Sequence, residues 1–192
     1  MEATPQFDQD SFEGYDDDAG EGSATTKNGV NGNWIQSTDA NFRVRFLIQE
    51  TAGVAFSNFK EDLQYNKNNT TWNDVDDSSS LNVRMSASIH FAHGDDTTQQ
   101  IGTGTFLSNN DGMNETNPPA STMVPDYAGN DETEFEFCVQ IRNADVANND
   151  TIELRVTKDG TVLNTHTNTP SITVSKSAVV AAHPQLIAPH SI

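Results

Sequence analysis

Apolar side chains recur at every second position in three stretches of this chain. In ANFRVRFLIQE, residues 40–50, Phe42, Val44, Phe46 and Ile48 alternate with Arg43, Arg45, Leu47 and Gln49. A period of two sends successive side chains to opposite faces of a strand. In ETEFEFCVQIR, residues 132–142, Phe135, Phe137, Val139 and Ile141 alternate with Glu134, Glu136, Cys138 and Gln140. In TIELRVT, residues 151–157, Ile152, Leu154 and Val156 form the apolar set. That stretch runs into Asp159-Gly160, a dipeptide suited to tight hairpins, which predicts a return strand over residues 161–167.

Weaker alternation fills the middle. Residues 61–75 read as a hairpin, with Leu63 and Tyr65 going out, a polar turn near Lys67 to Asn69, and Trp72 and Val75 coming back. Shorter strands are expected over residues 81–89, 99–106 and 171–174. No stretch sustains a helical period. The pattern predicts an all-β chain: an antiparallel, immunoglobulin-like β-sandwich of about eight to ten strands, with a jelly roll as the alternative. The expected division is an N-terminal extension over residues 1–5, the sandwich over 6–175 and an apolar C-terminal arm over 176–192, so that extended arms flank the core. The arm carries two prolines and no acid, which suits a segment that lies on another surface.

Charge narrows the function. Twenty-eight acidic and ten basic side chains give a formal net charge of -18. Phosphate backbones and anionic lipid surfaces call for clustered Lys and Arg, so neither nucleic acid nor membrane is an expected partner. The single cysteine, Cys138, allows no intramolecular disulfide. The opening MEATPQFDQD has neither a basic nor an apolar signal region, which predicts a product made in the cytoplasm.

The most conspicuous candidate chemistry is SFEGYDDDAGEGS, residues 11–23. Counted from Asp16, a helix-loop-helix calcium loop would need an acid at its fifth position and Gly at its sixth; Gly20 and Glu21 stand there instead. An irregular calcium site on Asp16, Asp17, Asp18 and Glu21 is the minor alternative. The favoured reading is a solvated acidic turn that ends a first strand, faces the medium and needs no cofactor. His90 and His93, followed by Asp95 and Asp96, lack a second ligand pair and read as surface residues, as do His166, His183 and His190. Cys138 reads as a packing residue, and the Glu134/Glu136 alternation as a solvated face. GTGTF, residues 102–106, lacks the strand-loop-helix setting of a nucleotide fingerprint. No nucleophile elbow or zinc-protease motif occurs, so no enzyme is expected. Trp34 and Trp72 are the candidate stacking platform for a glycan.

The series NFRVRFLIQETAG, LQYNKNNTTWNDV, TTQQIGTGTF and ETEFEFCVQIRNADVANNDTIELRVTKDGTVLNTHTNTPSITV resembles a β-sandwich domain frequent in bacteriophage, prophage and environmental viral sequences. The likeness spans residues 8–175. The family's opening strand and Asp-Asp-Gly turn are similar to FEGYDDDAGEGSATT, with Ala19 set between Asp18 and Gly20. The resemblance implies a virion structural protein, foremost a capsid decoration (cement) protein that stabilises the particle surface, assembled in the host cytoplasm as a homo-oligomer. Its implied partners are the major capsid protein or other virion proteins. Val179, Val180, Leu186 and Ile187 are the expected docking residues. The alternative is a tail-associated adhesive or carbohydrate-binding module.

Overall fold

The computed structural model describes residues 3–78, 81–108, 112–117 and 126–176. Val179, Val180, Leu186 and Ile187, and with them most of the expected arm, lie outside the described residues. Those described form strands β1 (Phe7–Asp16), β2 (Trp34–Ser37), β3 (Asn41–Glu50), β4 (Glu61–Lys67), β5 (Trp72–Asp74), β6 (Val83–Met85), β7 (Thr105–Phe106), β8 (Met113–Asn114), β9 (Asp131–Ile141), β10 (Thr151–Lys158), β11 (Thr161–Val162), β12 (Thr165–His166) and β13 (Ser171–Ser175). No helix occurs among the described residues.

Two sheets result. The first runs β12-β1-β3-β9-β6, with β7 and β8 also paired to β9; the second runs β2-β13-β10-β4-β5, with β11 on β10. The purely antiparallel arrangement expected from the sequence needs correcting, because both sheets are mixed. β12 pairs with β1, β13 with β2, and β7 and β8 with β9, all in parallel. Parallel neighbours require crossover connections, and here the late strands cross over to lie beside the first ones.

The three strong alternations supply the centre of both sheets. Phe42, Val44, Phe46 and Ile48 of β3, Phe135, Phe137, Val139 and Ile141 of β9, and Ile152, Leu154 and Val156 of β10 are all fully buried in one core. An aromatic group fills one end: the Phe59 and Phe135 rings stack at 5.6 Å, and Phe7 meets Phe59 and Tyr127 edge-on. β1 reaches this core by a β-bulge. Gln9 pairs with Ile48 and Ser11 with Leu47, so Asp10 is the extra residue. Phe7 and Phe12, five positions apart, would otherwise point to opposite faces; the bulge turns both inward.

The turns follow local chemistry. Asn68 and Asn69 both adopt positive φ between β4 and β5, as do Asp159 and Gly160 between β10 and β11. The predicted return strand over 161–167 is split, however. After Val162 the chain turns its buried Leu163 into the core, Asn164 Oδ1 accepts the Phe7 N–H at 2.9 Å, and β12 joins the other sheet.

Candidate functional site

The most highly organised polar region lies on the outer face of the first sheet. The outward side chains of β3 and β9 there are Arg43, Arg45, Glu134, Glu136 and Cys138. The register sets Arg45 opposite Glu136 and Arg43 opposite Cys138. A solvated face was expected, yet Glu134, Glu136, Arg43 and Arg45 are each no more than 2% exposed. The correction comes from two segments that fold over this face, one following β1 and one between β6 and β7.

Arg45 is the hub. Its Nη1 meets Glu134 Oε2 at 2.7 Å, its Nη2 meets Glu136 Oε2 at 2.5 Å and Glu21 Oε1 at 2.6 Å, and Nη1 also donates to Thr98 O at 2.7 Å. Burial alone would lower the Arg45 pKa; the carboxylates of Glu136, Glu134 and Glu21 reverse that and hold its charge more firmly than usual. Arg43 Nη1 lies 3.0 Å from Glu136 Oε1, and its Nη2 donates to Ala19 O at 2.7 Å. The Glu134 carboxylate also accepts three successive backbone N–H groups, of Gln100, Ile101 and Gly102, at 2.7–3.0 Å. Of these three only Gly102 belongs to GTGTF, and Gly104 N–H donates instead to Glu132 Oε1 at 2.6 Å, so that stretch lies against two of the protein's own carboxylates. Gly102 and Gly104 permit the approach: a Cβ on either would fall 2.2 or 2.7 Å from a Glu132 carboxylate oxygen.

The three aspartates of the acidic turn diverge. Asp16 pairs with Lys27. Asp17, half-buried with its side chain 7% exposed, accepts Ser88 Oγ–H at 2.6 Å and faces Arg43 Nε at 3.6 Å. Asp18 accepts both the N–H and the hydroxyl of Thr25, which hold its pKa below the ordinary value. Asp17 and Glu21 thus face inward, and the turn clasps the sheet rather than simply facing the medium. Among the described residues no group of three or more His, Cys, Asp or Glu side chains is arranged to hold a metal ion.

Cys138 is buried on this same face beside Asp17; desolvation, then the Asp17 charge, push its thiol pKa well up, which disfavours the thiolate. Tyr15, buried on β1 opposite Arg43 of β3, donates to Glu13 Oε2 at 2.6 Å, and burial with that hydrogen bond raises its pKa likewise. A cleft of about 500 Å³ opens beside the two covering segments, its lining including Glu21, His90, Phe91, Asp95, Asp96 and Met113. His90 comes to this cleft, whereas the His93 ring accepts the Glu115 N–H at 3.3 Å.

The two tryptophans part company. Trp34 is 6% exposed: its six-membered ring lies where a Gly14 Cβ would be 2.9 Å away, and it meets Phe42 edge-on, so it presents no open ring face. Trp72 is half-buried on the outer face of the second sheet, with the Arg155 guanidinium carbon 4.1 Å from its ring centroid. Tyr65 and Tyr127 are core residues.

Sequence reasoning missed the roles of Arg43 and Arg45. The signal was present: two cations two positions apart on one strong strand, and two acids at the same spacing on another. No protein-family model matches the chain, and no curated protein is significantly similar to it.

Proposed function

We propose that this chain is a non-catalytic structural protein of a virus particle, a capsid decoration protein built on an immunoglobulin-like sandwich. The observation that carries the structural reading is the buried ion cluster. A catalytic group needs an unmet partner turned toward a cleft; here Arg43, Arg45, Glu134 and Glu136 engage one another and tie two long segments to the sheet. Charge used in this way stiffens a domain without performing chemistry.

Two features support the finer reading. Within the orders β12-β1-β3-β9-β6 and β2-β13-β10-β4-β5, the run β1-β3-β9-β6 and the second sheet can be matched strand by strand to an immunoglobulin domain, with β7, β8, β11 and β12 as additions, which supports the immunoglobulin-like reading. The sequence beyond Lys176 is apolar and free of acid in a chain of net charge -18. Docking Val179, Val180, Leu186 and Ile187 on a capsid protein would remove apolar surface from water at about 25 cal/mol per Å². Many copies on one particle would add avidity.

The test is co-sedimentation of the purified full-length chain with capsids that lack it. Binding that raises the temperature of particle disruption, and that is lost when those four residues become Asp, is the expected result. Full-length protein that stays in the supernatant, or a variant that binds as well as the parent, would overturn the proposal.

A further inference from the structure

The outer face of the second sheet joins a ring, a guanidinium, an amide and a carboxylate in one row. Trp72 on β5 stands opposite Asn66, and Arg155 on β10 stands opposite Gln64, with β4 between the two. Both long side chains reach over β4 and meet there, the guanidinium carbon 4.1 Å from the indole centroid. Arg155 Nε and Nη2 both donate to Gln64 Oε1, at 3.0 and 2.7 Å. Gln64 Nε2 in turn donates to Asp74 Oδ1 at 2.8 Å. The row is held in place before any ligand arrives, and the indole remains half-buried, with part of its surface open to solvent.

Beside the row lies a cleft of about 380 Å³ whose lining includes Asp62, Asp74, Asp76 and Asp159. None of these four carboxylates forms an ion pair among the described residues. Burial raises the Asp62 pKa, and the charges of Asp159 and Asp74 add to this, against the Gly160 N–H and Lys60. A uronic or sialic acid would be repelled by such a surface, whereas a cation relieves the crowding.

We propose that this face binds a polysaccharide whose sugars carry a free amino group, with a pyranose ring on the exposed surface of Trp72 and its ammonium toward Asp74 and the neighbouring carboxylates. An aromatic ring offers the apolar face of a sugar a rigid surface at low entropic cost, and the preset Asp74–Gln64–Arg155 row supplies directional hydrogen bonds. The site is separate from the apolar segment to which particle docking is assigned, so either reading can fail without the other.

The experiment is isothermal titration of the full chain, in mildly acidic buffer, with a glucosamine hexamer, its N-acetylated counterpart and a galacturonic acid hexamer. Binding of the glucosamine hexamer at least about tenfold tighter than of the N-acetylated one, with none of the uronic hexamer, is expected. Trp72→Ala leaves the net charge unchanged and should weaken binding by about tenfold, which separates a built site from the attraction of any polycation to an acidic protein. Gln64→Ala, which also leaves the net charge unchanged and breaks the Asp74–Gln64–Arg155 row, gives the same reading should the tryptophan variant fold poorly. No binding of the glucosamine hexamer, equal binding of the N-acetylated sugar, or full affinity in both variants would overturn the proposal.

Discussion

Arg45 is the residue whose loss should be felt most. It is about 1% exposed and holds two carboxylates that are no more exposed than that or nearly so, Glu134 at 0% and Glu136 at 2%, plus Glu21 of the acidic turn. Arg45→Met keeps the stem's apolar packing but leaves these acids without their hub. Removing one partner of a buried pair costs about 3–5 kcal/mol, because the remaining charge stays desolvated. Typical domain stability is about 5–15 kcal/mol, so the variant should fold but only just. For a chain of this size the loss corresponds to a fall in melting temperature of roughly 6–20 °C. Arg45→Lys keeps the charge but not the fork that serves Glu134, Glu136, Glu21 and Thr98 together, and should fall between, at about 2 kcal/mol. Urea titration followed by the fluorescence of buried Trp34 measures both variants. A methionine variant within about 0.5 kcal/mol of the parent would show that the cluster contributes no more than an exposed pair and would refute the reasoning.

Three further outcomes are expected. Gly102→Ala places a methyl 2.2 Å from Glu132 Oε1 and 2.9 Å from Leu47 Cδ1 and should destabilise by about 1–3 kcal/mol in the same titration. Gly20→Ala, whose Cβ meets nothing within 4 Å, serves as the contrasting control and should stay within about 0.5 kcal/mol of the parent. Cys138 should resist DTNB at neutral pH for hours and react at once in denaturant; prompt reaction in the folded state would contradict its burial and raised pKa. At Glu50 burial opposes the charge, but the N–H groups of Asn130, Gln6, Ala52 and Val54 outweigh it and hold the pKa below the ordinary 4.5. A depressed carboxyl pKa adds stability that is fully present above the unfolded value and lost as pH falls through the folded one. The deficit of Glu50→Gln relative to the parent should therefore shrink on acidification below 4.5, and a deficit that stays constant through this range would count against the assignment.

The strands with strict alternation were legible because burial on one face leaves a period-two trace: β3, β9 and β10 fall within a residue or so of their expected limits. The bulge at Asp10 leaves no such trace, since one inserted residue only makes the pattern look broken. The covered face was misread for a related reason. Glutamates alternating with phenylalanines look the same whether the far side meets water or a loop that brings its own hydrogen-bond donors, and the N–H groups over Glu134 belong to residues more than thirty positions away. Of the two candidate platform residues, the sequence offered no local signal to tell half-buried Trp72 from buried Trp34. The burial of Trp34 depends on Gly14, a contact between distant residues that local pattern does not contain.

The parallel pairings of β12 with β1 and of β13 with β2 have a consequence for how the chain matures. β1 and β2 leave the ribosome early, yet their partners are among the last described strands to emerge. Closing contacts between such distant segments is slow, because chain entropy must be lost before the contacts form. Until residues 165–175 are available, the edges of β1 and β10 stand unpaired and open to other nascent chains. Lowering the number of chains synthesised at once should therefore raise the soluble yield, because pairing between unfinished chains depends on their concentration.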